Sequence, residues 1–319
     1  MLAPGPARAE YEGVRPRVVV TGAGLGGHCW EQLALPFAVW PRHILFSPSG
    51  WGPVAHPNQV VTIHDLAPLE NPRWYNRGFA AWYAQLVPAL ARRARNILTV
   101  SAFCKRRIIE ILRIPEERIT VAWEAVGSCF SRRPEAEVQR TLERFGIGRP
   151  FFLAVGAISA RKNLPRLLRS WDRVADRIDQ TALVIVGKRG LRFSDGAGLG
   201  ALPRRAMHLS SVNDQDLACL YSAAEGLLYP SLYEGFGLPI LEAMACDCPV
   251  LTSNCTAMPE IAGDAAVLVD PLSEESIAEG ILDLTRENTA AEMRCKGSLR
   301  CRNFGWDRTA ELVEGVLLN

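Results

Sequence analysis

Short apolar runs of strand length alternate with longer helical patterns along the chain, and this alternation constrains the fold more than any other feature. Strand followed by helix, repeated, builds parallel sheets through right-handed crossovers. The alternation stops at a polar joint that contains Gly and Pro, residues 146–150, and then begins again. The sequence therefore predicts an α/β protein with two Rossmann-like domains that face each other across a cleft.

We place the domain boundary inside this joint, with a first domain at residues 1–148 and a second domain that begins at residue 149. Ligands of open α/β sheets bind outside the carboxyl ends of the strands, so residues that follow strands are the candidates for a site. Strands are predicted at residues 17–21, 43–47, 59–64, 96–101, 118–122, 151–155, 182–186, 207–209, 226–229, 249–252 and 266–268. Helices are predicted at residues 72–95, 102–113, 164–175, 214–223, 238–245 and 274–285.

Charge is divided unevenly between the two halves. The net charge of +2 consists of +6 for residues 1–148 and −4 for residues 149–319. A basic half suits an anionic partner, whether nucleic acid, an acidic lipid headgroup or a phosphorylated substrate. Hydrophobic residues make up 48% of the chain and charged residues 22%, which excludes a disordered or highly charged protein.

Basic residues in the first domain alternate with apolar residues. This pattern suits a helix surface near anionic lipid better than a platform on which bases stack, and a solvated basic face is the alternative. We therefore expect peripheral contact of the basic N-terminal domain with an anionic membrane, and no nucleic acid. The basic residues are Arg92, Arg93, Arg95, Lys105, Arg106 and Arg107, and the apolar ones are Leu90, Ile97, Phe103, Ile108 and Ile109.

The chain lacks the sequence features of secretion and of membrane spans. Its apolar runs are shorter than the roughly 18 to 20 residues that cross a bilayer, and residues 1–17 have no apolar stretch of a signal peptide. We expect a cytoplasmic protein, peripheral at the inner face of the membrane, with reduced thiols. Cys246, Cys248 and Cys255 lie close together, but their spacing has no second matching pair, so buried apolar thiols are favoured over zinc.

Two further motifs suggest cofactors and are better explained otherwise. Gly22, Gly24 and Gly27 match a dinucleotide fingerprint, but the acidic residue that would hold the ribose is missing, which favours a phosphate-facing loop or a plain turn. Asp214 and Asp216 resemble a metal-binding pair, but they stand in a run of cap residues before a helix, where Asp216 would meet the positive helix end. We therefore expect neither a cofactor nor a metal.

The segment at residues 229–245 is the most informative one. Glu234 lies in the loop after a predicted strand, and Glu242 lies in the first turns of the helix that follows. We expect both carboxylates to face one pocket. Glycines between them allow backbone N–H groups to approach an anion at the helix N-terminus. This combination suits a ligand that carries both hydroxyl and phosphate groups.

A cationic pair follows the strand predicted at residues 151–155. Arg161 and Lys162 come directly before Asn163, a candidate cap for the next helix. Adjacent cations at a helix start are unfavourable for the helix dipole, so their position favours an anion nearby. A guanidinium and an ammonium group could neutralise a diphosphate without metal.

At these residues the chain resembles the family 4 glycosyltransferases of GT-B architecture, retaining enzymes that take sugars from nucleotide diphosphates. The similarity runs from about residue 58 to the C-terminus. The segment at residues 304–316 is similar to the family's terminal helix, so we expect the second domain to end at residue 303 and residues 304–319 to return to the first domain. The matching segments are residues 59–75, 99–110, 151–168, 183–190 and 217–271.

The resemblance implies catalytic roles for two residues. Glu234 would hold hydroxyl groups of the transferred sugar near its reacting carbon, and His64 would approach that sugar from the first domain. Glu242 would bind the ribose of the nucleotide. Asp65 would support the turn next to His64.

The resemblance also implies how the donor is held. Arg161 and Lys162 would clamp the diphosphate leaving group, and the amides of Phe236, Gly237 and Leu238 would add hydrogen bonds. The first domain is similar to bacterial mannosyl- and rhamnosyltransferases of polysaccharide assembly. This implies metal-independent transfer of a hexose with retention, mannose from GDP-mannose being favoured, to a saccharide or lipid-linked acceptor.

Two alternatives and three departures from the family pattern remain. The alternatives are a catalytically silent homologue that serves as a binding partner in a glycan-assembly complex, and an NAD-linked oxidoreductase. Residues 124–130 lack the family's Asn-Gly-Val-Asp turn, and residues 1–57 match poorly. Asp247 stands in a turn that Gly usually fills, which Asp tolerates because it visits left-handed conformations.

Overall fold

Two parallel β-sheets organise the protein. The computed structural model describes residues 2–3, 19–20, 27–39, 43–178, 180–188, 193 and 201–318. In this part of the chain, a four-stranded sheet lies in the first half and a six-stranded sheet in the second half. The strand pairs within both sheets are parallel, which confirms an α/β fold with two parallel-sheet domains.

The strands are numbered in chain order. β1 (Leu2–Ala3) and β2 (Val19–Val20) form a separate two-stranded sheet. The first large sheet contains, in spatial order, β3 (Leu45–Ser47), β4 (Gln59–Ile63), β5 (Asn96–Thr99) and β6 (Ile119–Val121). The second contains β7 (Phe151–Val155), β8 (Ala182–Val186), β9 (Ala206–Leu209), β10 (Gly226–Tyr229), β11 (Val250–Ser253) and β12 (Val267–Val269), in the spatial order β12-β11-β10-β7-β8-β9.

The beginning of the chain differs from the prediction. The strand predicted at residues 17–21 is observed as β2, but it pairs with β1 instead of joining the first large sheet. Of the glycine fingerprint, Gly22 and Gly24 lie outside the described residues, whereas Gly27 begins the first helix. A role for this glycine loop therefore stays a prediction.

Helices cover both sheets and begin where local hydrogen bonds allow. The helix predicted from residue 72 begins at Arg77, because the Asn76 side chain accepts the N–H of Phe79 at 2.8 Å and caps it there. The helices are α1 (Gly27–Leu33), α2 (Leu35–Ala38), α3 (Ala67–Glu70), α4 (Arg77–Arg93), α5 (Ala102–Arg107), α6 (Glu135–Phe145), α7 (Leu164–Val174), α8 (Asp214–Ala223), α9 (Leu238–Ala245), α10 (Met258–Ala262), α11 (Glu274–Leu284), α12 (Glu287–Cys301) and α13 (Trp306–Leu318).

Two of the expected turn and cap residues behave as predicted, and one does not. Asn213 caps α8 by accepting the N–H of Asp216 at 2.9 Å, which confirms the cap interpretation of that segment. Asp247 has φ of +57°, in the left-handed region. The prediction that the Asn163 side chain caps α7 is wrong, since its amide instead donates to the carbonyls of Pro230 and Pro271.

The terminal helix returns to the first domain. In α13, Val313, Val316 and Leu317 pack against Val60 of β4 and Leu98 of β5, which lie in the first sheet. The Thr309 hydroxyl near the start of α13 donates to the carbonyl of Trp123 at 2.5 Å. The crossing back expected for residues 304–319 is therefore observed.

The basic surface of the first domain does not have the apolar half expected of a lipid-facing helix. Leu90, Ile97 and Ile108 are fully buried in the core beneath the first sheet. Lys105 forms an ion pair with Glu116 at 3.1 Å, and Arg107 pairs with Glu70 and Glu110. These three apolar residues are therefore part of the interior and not of a lipid-facing surface, while Phe103 and Ile109 are partly buried. Peripheral contact of the basic surface with an anionic membrane stays a prediction. No helix in the described ranges is both long and apolar enough to cross a membrane.

A carboxylate of the second domain caps a helix of the first. Glu260 in α10 accepts the backbone N–H groups of Ala102 and Phe103, at 2.8 and 3.0 Å, in the first turn of α5. The indole N–H of Trp123 donates to the same carboxylate at 3.2 Å. A negative charge here also complements the positive end of α5. Glu260 therefore joins the two domains beside the cleft, a contact that the sequence analysis missed.

Replacing Glu260 by Ala should destabilise the protein by about 2 kcal/mol, because two N–H groups of α5 would lose their acceptor. The shift of the urea midpoint in a fluorescence unfolding experiment would measure this loss. Glu279→Ala is the matched control, since Glu279 is an exposed helical acid on α11 and its loss should have little effect. Equal midpoints for both variants would contradict the capping role.

Candidate active site

Loops that follow three strands meet between the two sheets. His64 and Asp65 follow β4, Arg161 and Lys162 lie in a 3-10 turn after β7, and Glu234 lies in the loop after β10. These positions are the carboxyl ends of their strands, where a ligand site is expected. The structure therefore brings together five side chains that lie up to 170 positions apart in the sequence.

The two domains touch at a glycine. A Cβ atom placed on Gly235 would lie 2.1 Å from the carbonyl oxygen of His64. Any residue other than glycine would therefore fit at this position only if the backbone moved. The hydroxyl of Ser101 donates to the carbonyl of Gly235 at 2.6 Å. Glycine at this position therefore permits the close approach that sets the width of the cleft.

Glu234 is the anionic centre of the site. The carboxylate is 6% exposed and accepts a hydrogen bond from the Lys162 ammonium at 2.7 Å. Its other oxygen lies 3.6 Å from the Arg161 guanidinium. Burial alone would raise the pKa of Glu234, but the charges of Arg161 and Lys162 outweigh it and lower the pKa below the ordinary value. Glu234 is therefore ionised at neutral pH.

Lys162 is enclosed by groups that fix its ammonium. It donates to the hydroxyl of Tyr229 as well as to Glu234, and its nitrogen lies 4.4 Å from the centre of the Tyr229 ring. Gly156 has φ of +140°, and a Cβ atom there would lie 2.7 Å from the Lys162 side chain. The backbone at Gly156 thus leaves the room that Lys162 needs to reach the cleft.

Arg161 connects the two domains and keeps one donor unused. Its Nη1 lies 3.2 Å from Oδ2 of Asp65 in the first domain. Asp65 also accepts the N–H of Ala67 at 3.0 Å, so it supports the turn after β4 as expected. The Nε of Arg161 is buried without a hydrogen-bond partner among the described residues. A buried, unsatisfied guanidinium donor is costly, so an acceptor from a ligand would be favourable here.

His64 has a hydrogen-bond acceptor at each ring nitrogen. Nε2 lies 2.9 Å from the carbonyl of Pro48, and Nδ1 lies 3.2 Å from a carboxylate oxygen of Glu124. Burial alone would lower the pKa of His64, but the Glu124 hydrogen bond, the Pro48 carbonyl and the charges of Glu124 and Asp65 raise it overall. Glu124 stands in the segment that departs from the family pattern, so the resemblance gave no signal for it.

The start of α9 forms the remaining wall. Gly237 has φ of +106° and precedes the first residue of α9, Leu238. Phe236 is buried and packs edge-on against Phe304 at 5.9 Å, which fixes the loop. The backbone N–H groups of this first turn lie at the positive end of α9, as the sequence predicts for an anion site.

Glu242 lies one turn into α9 and accepts the hydroxyl of Tyr221 at 3.0 Å. Burial raises the pKa of Glu242 to about 7. Glu242 does not line the small cavity around Glu234, but its charge acts on Lys162 of the same cluster. That both carboxylates face one pocket therefore stays a prediction.

Two adjoining cavities meet at this site. The inner one, about 210 Å³, is lined by His64, Asp65, Arg161, Lys162 and Glu234 and by the loop that leads into α9. The other, about 440 Å³, shares His64, Asp65 and Arg161 and is otherwise largely aromatic, with contributions from both domains. Its aromatic residues are Trp51, Tyr75, Phe79, Tyr83 and Phe193. The inner cavity is lined mainly by charged side chains, and the outer cavity is lined mainly by aromatic rings.

Neither metal interpretation gains support from the described part of the chain. No group of three or more His, Cys, Asp or Glu side chains is placed there to hold an ion. Cys246 and Cys248 are buried in the core of the second domain, and Cys255 is partly buried beside it. Asp216 is paired with Arg144 and hydrogen-bonded to Asn213.

Comparison with protein families decides the classification. Residues 138–298 match the family described as "Glycosyl transferases group 1", and residues 35–126 match "Glycosyltransferase Family 4". The chain belongs to the group 1 glycosyl transferases. The resemblance drawn from the sequence is thereby confirmed, and so is the expectation that the protein is a glycosyltransferase enzyme.

Individual relatives of this glycosyltransferase include enzymes named for mannose transfer. It is 31% identical over 274 residues to the O-antigen chain mannosyltransferase B of Escherichia coli, covering 83% of this chain and 71% of the relative. It is 41% identical over 252 residues to the MMP alpha-(1->4)-mannosyltransferase of Mycolicibacterium hassiacum, covering 75% of this chain and 58% of the relative. The glycosyltransferase thus spans less than two thirds of the second relative.

A solved structure shows the same architecture. The Anabaena HepE structure in complex with UDP-glucose superposes with a TM-score of 0.67 over 81% of this chain and 71% of that one, at 17% identity. This level of similarity shows the fold alone. It confirms GT-B architecture for the glycosyltransferase.

Proposed function

We propose that this glycosyltransferase moves a hexose, with mannose favoured, from a nucleotide-diphosphate sugar to a hydroxyl group of a saccharide or lipid-linked acceptor. The observation that carries the proposal is the cluster of Arg161, Lys162 and Glu234 at the carboxyl ends of β7 and β10 in the second sheet. Two cations beside an anionic side chain suit a substrate with a diphosphate at one end and hydroxyl groups at the other. The contacts give no support to a catalytically silent homologue.

The cationic pair would stabilise the leaving group. As the bond between the sugar and the diphosphate lengthens, negative charge grows on the phosphate oxygens. Lys162, the unused Nε donor of Arg161 and the N–H groups at the start of α9 would all face that charge. These groups supply the positive charge that a metal ion would otherwise provide, which supports metal-independent transfer.

Given retention of configuration, the state of Glu234 favours front-face attack over a covalent glycosyl-enzyme intermediate. Its carboxylate is held by Lys162 and lies beside Arg161, so it is better placed to bind sugar hydroxyls than to attack the anomeric carbon. The acceptor hydroxyl would then attack from the side of the departing diphosphate. Its oxygen forms the new glycosidic bond, the bond to the diphosphate breaks, and the leaving phosphate takes the hydroxyl proton. Glu242 would reach the nucleotide ribose only if the donor extends along α9.

The acceptor would enter through the aromatic cavity. Tyr75 and Tyr83 are buried in its wall, and Phe193 of the second domain lies 5.3 Å from the Tyr75 ring. Aromatic faces of this kind pack against the C–H faces of sugar rings by burying apolar surface. His64, Asp65 and Arg161, which both cavities share, mark where acceptor and donor would meet.

Mannose is favoured because the two relatives above are named mannosyltransferases. Incubation with GDP-mannose and other nucleotide sugars in the presence of EDTA should release nucleoside diphosphate fastest from GDP-mannose. Released diphosphate is measured by chromatography, and chelation should leave the rate unchanged. A faster rate with another donor would overturn the donor proposal, and loss of activity with EDTA would overturn metal independence.

A further inference from the structure

Glu124 and His64 form a pair that links the first domain to the transfer site. Glu124 follows β6, and His64 follows β4 of the same sheet. Both side chains line the inner cavity, with 22% of Glu124 and 43% of His64 exposed. The pair is therefore in contact with the space where the donor sugar would lie.

Hydrogen-bond chemistry favours one protonation state of the ring. The Pro48 carbonyl at 2.9 Å can only accept, so a proton on Nε2 of His64 completes a hydrogen bond there. An ionised Glu124 carboxylate at 3.2 Å also accepts, so a proton on Nδ1 completes a second one. An imidazolium cation satisfies both contacts. In this arrangement His64 has no lone pair with which to act as a base.

We infer that Glu124 is a positioning residue, which orients the His64 ring and holds it as a cation beside the transferred sugar. This inference rests on the proposed function. The cation would add positive charge on the first-domain side of the cleft, opposite Arg161 and Lys162. The resemblance implied that His64 approaches the sugar. The contact with Glu124 would keep the His64 ring protonated and oriented as it does so.

The other charged groups around His64 do not replace Glu124. Asp65 is adjacent in the chain, but its carboxylate is engaged by Arg161 and by the N–H of Ala67. Glu234 lies in the loop that contacts the His64 carbonyl and is held by Lys162. The Cys104 thiol of α5 also faces the His64 carbonyl, at 3.2 Å, and burial raises its pKa to about 12, which keeps it neutral.

The sign of the pH dependence follows from this pairing. The raised pKa of His64 means that the cation is present below that pKa and is lost as the pH rises through it. Glu124→Gln removes the charge but keeps the shape, so His64 should lose its proton at a pH about one unit lower. At pH values well above both pKa values the charged fraction of His64 then falls by up to about tenfold, and kcat/KM for transfer should fall by up to the same factor.

The test combines nuclear magnetic resonance with kinetics. Nitrogen-labelled histidine in the full chain reports the protons on each ring, and His64→Gln identifies the His64 signals. We expect the doubly protonated ring to be the major form in the wild type at pH 6.5, a titration about one unit lower in Glu124→Gln, and partial restoration in Glu124→Asp. Glu117→Gln is the control, because Glu117 is an exposed acid just before β6.

The outcomes separate this inference from the proposed function. Identical ring titrations in wild type and Glu124→Gln, or a wild-type ring that is mainly singly protonated at pH 6.5, would overturn the inference. A shifted titration with an unchanged pH profile of kcat/KM would also overturn it. Circular dichroism checks that each variant is folded. A wild-type protein that turns over no donor would contradict the proposed function, while the ring titration would still decide the role of Glu124.

Discussion

Glu234→Gln should lower kcat by at least about a hundredfold and leave nucleoside diphosphate binding largely intact. The change keeps the shape of the side chain but removes the one buried negative charge that faces both cations. Contacts that strengthen as charge develops on a reacting sugar are typically worth a hundredfold or more in rate. The free cations would then attract the diphosphate more strongly, so the binding constant for GDP should hold or tighten.

The measurement is a comparison of kcat, KM and calorimetric GDP affinity between Glu234→Gln and wild type. Glu225→Gln is a matched control, because Glu225 lies just before β10 and is exposed. The control should retain wild-type kinetics. Wild-type kcat in Glu234→Gln would refute the role proposed for this carboxylate, whereas equal losses in both variants would indicate a general effect of charge.

Most of the architecture could be predicted from the sequence because it depends on local patterns. A run such as residues 151–155 is apolar over the length of one strand, and the structure places β7 at the same residues. The loops after β4, β7 and β10 could be recognised as site loops for the same reason, since the position of a strand's carboxyl end follows from the strand itself. Arg161, Lys162 and Glu234 are accordingly found together.

The contacts that shape the site depend on distant parts of the chain and could not be predicted. Glu124 meets His64 across 60 positions, and Glu260 meets Ala102 across 158 positions. Neither pair has a local pattern, because the first requires the first sheet to be assembled and the second requires the two domains to be docked. The contact of Glu242 with Tyr221 is another example, since it joins α9 to α8 and has no local pattern in the sequence.

Lys162→Met should abolish transfer and weaken binding of the donor. Glu234→Gln, in contrast, should leave nucleoside diphosphate binding largely intact. Met has a similar length but no charge, so the diphosphate would lose an ammonium partner inside a buried site. We expect the dissociation constant for GDP to rise by at least tenfold and kcat to fall by about a hundredfold or more. Isothermal titration with GDP, without metal, measures the first effect directly.

The same change should also destabilise the unliganded protein, because the buried Glu234 carboxylate would lose its ion pair with Lys162 at 2.7 Å. Removing one partner of a buried ion pair typically costs about 3–5 kcal/mol, which a urea titration would detect. Lys188→Met is the control, since Lys188 follows β8 at the same edge of the sheet but is exposed. If Lys162→Met bound GDP as tightly as wild type while Glu234→Gln lost affinity, the proposed roles of cation and carboxylate would have to be exchanged.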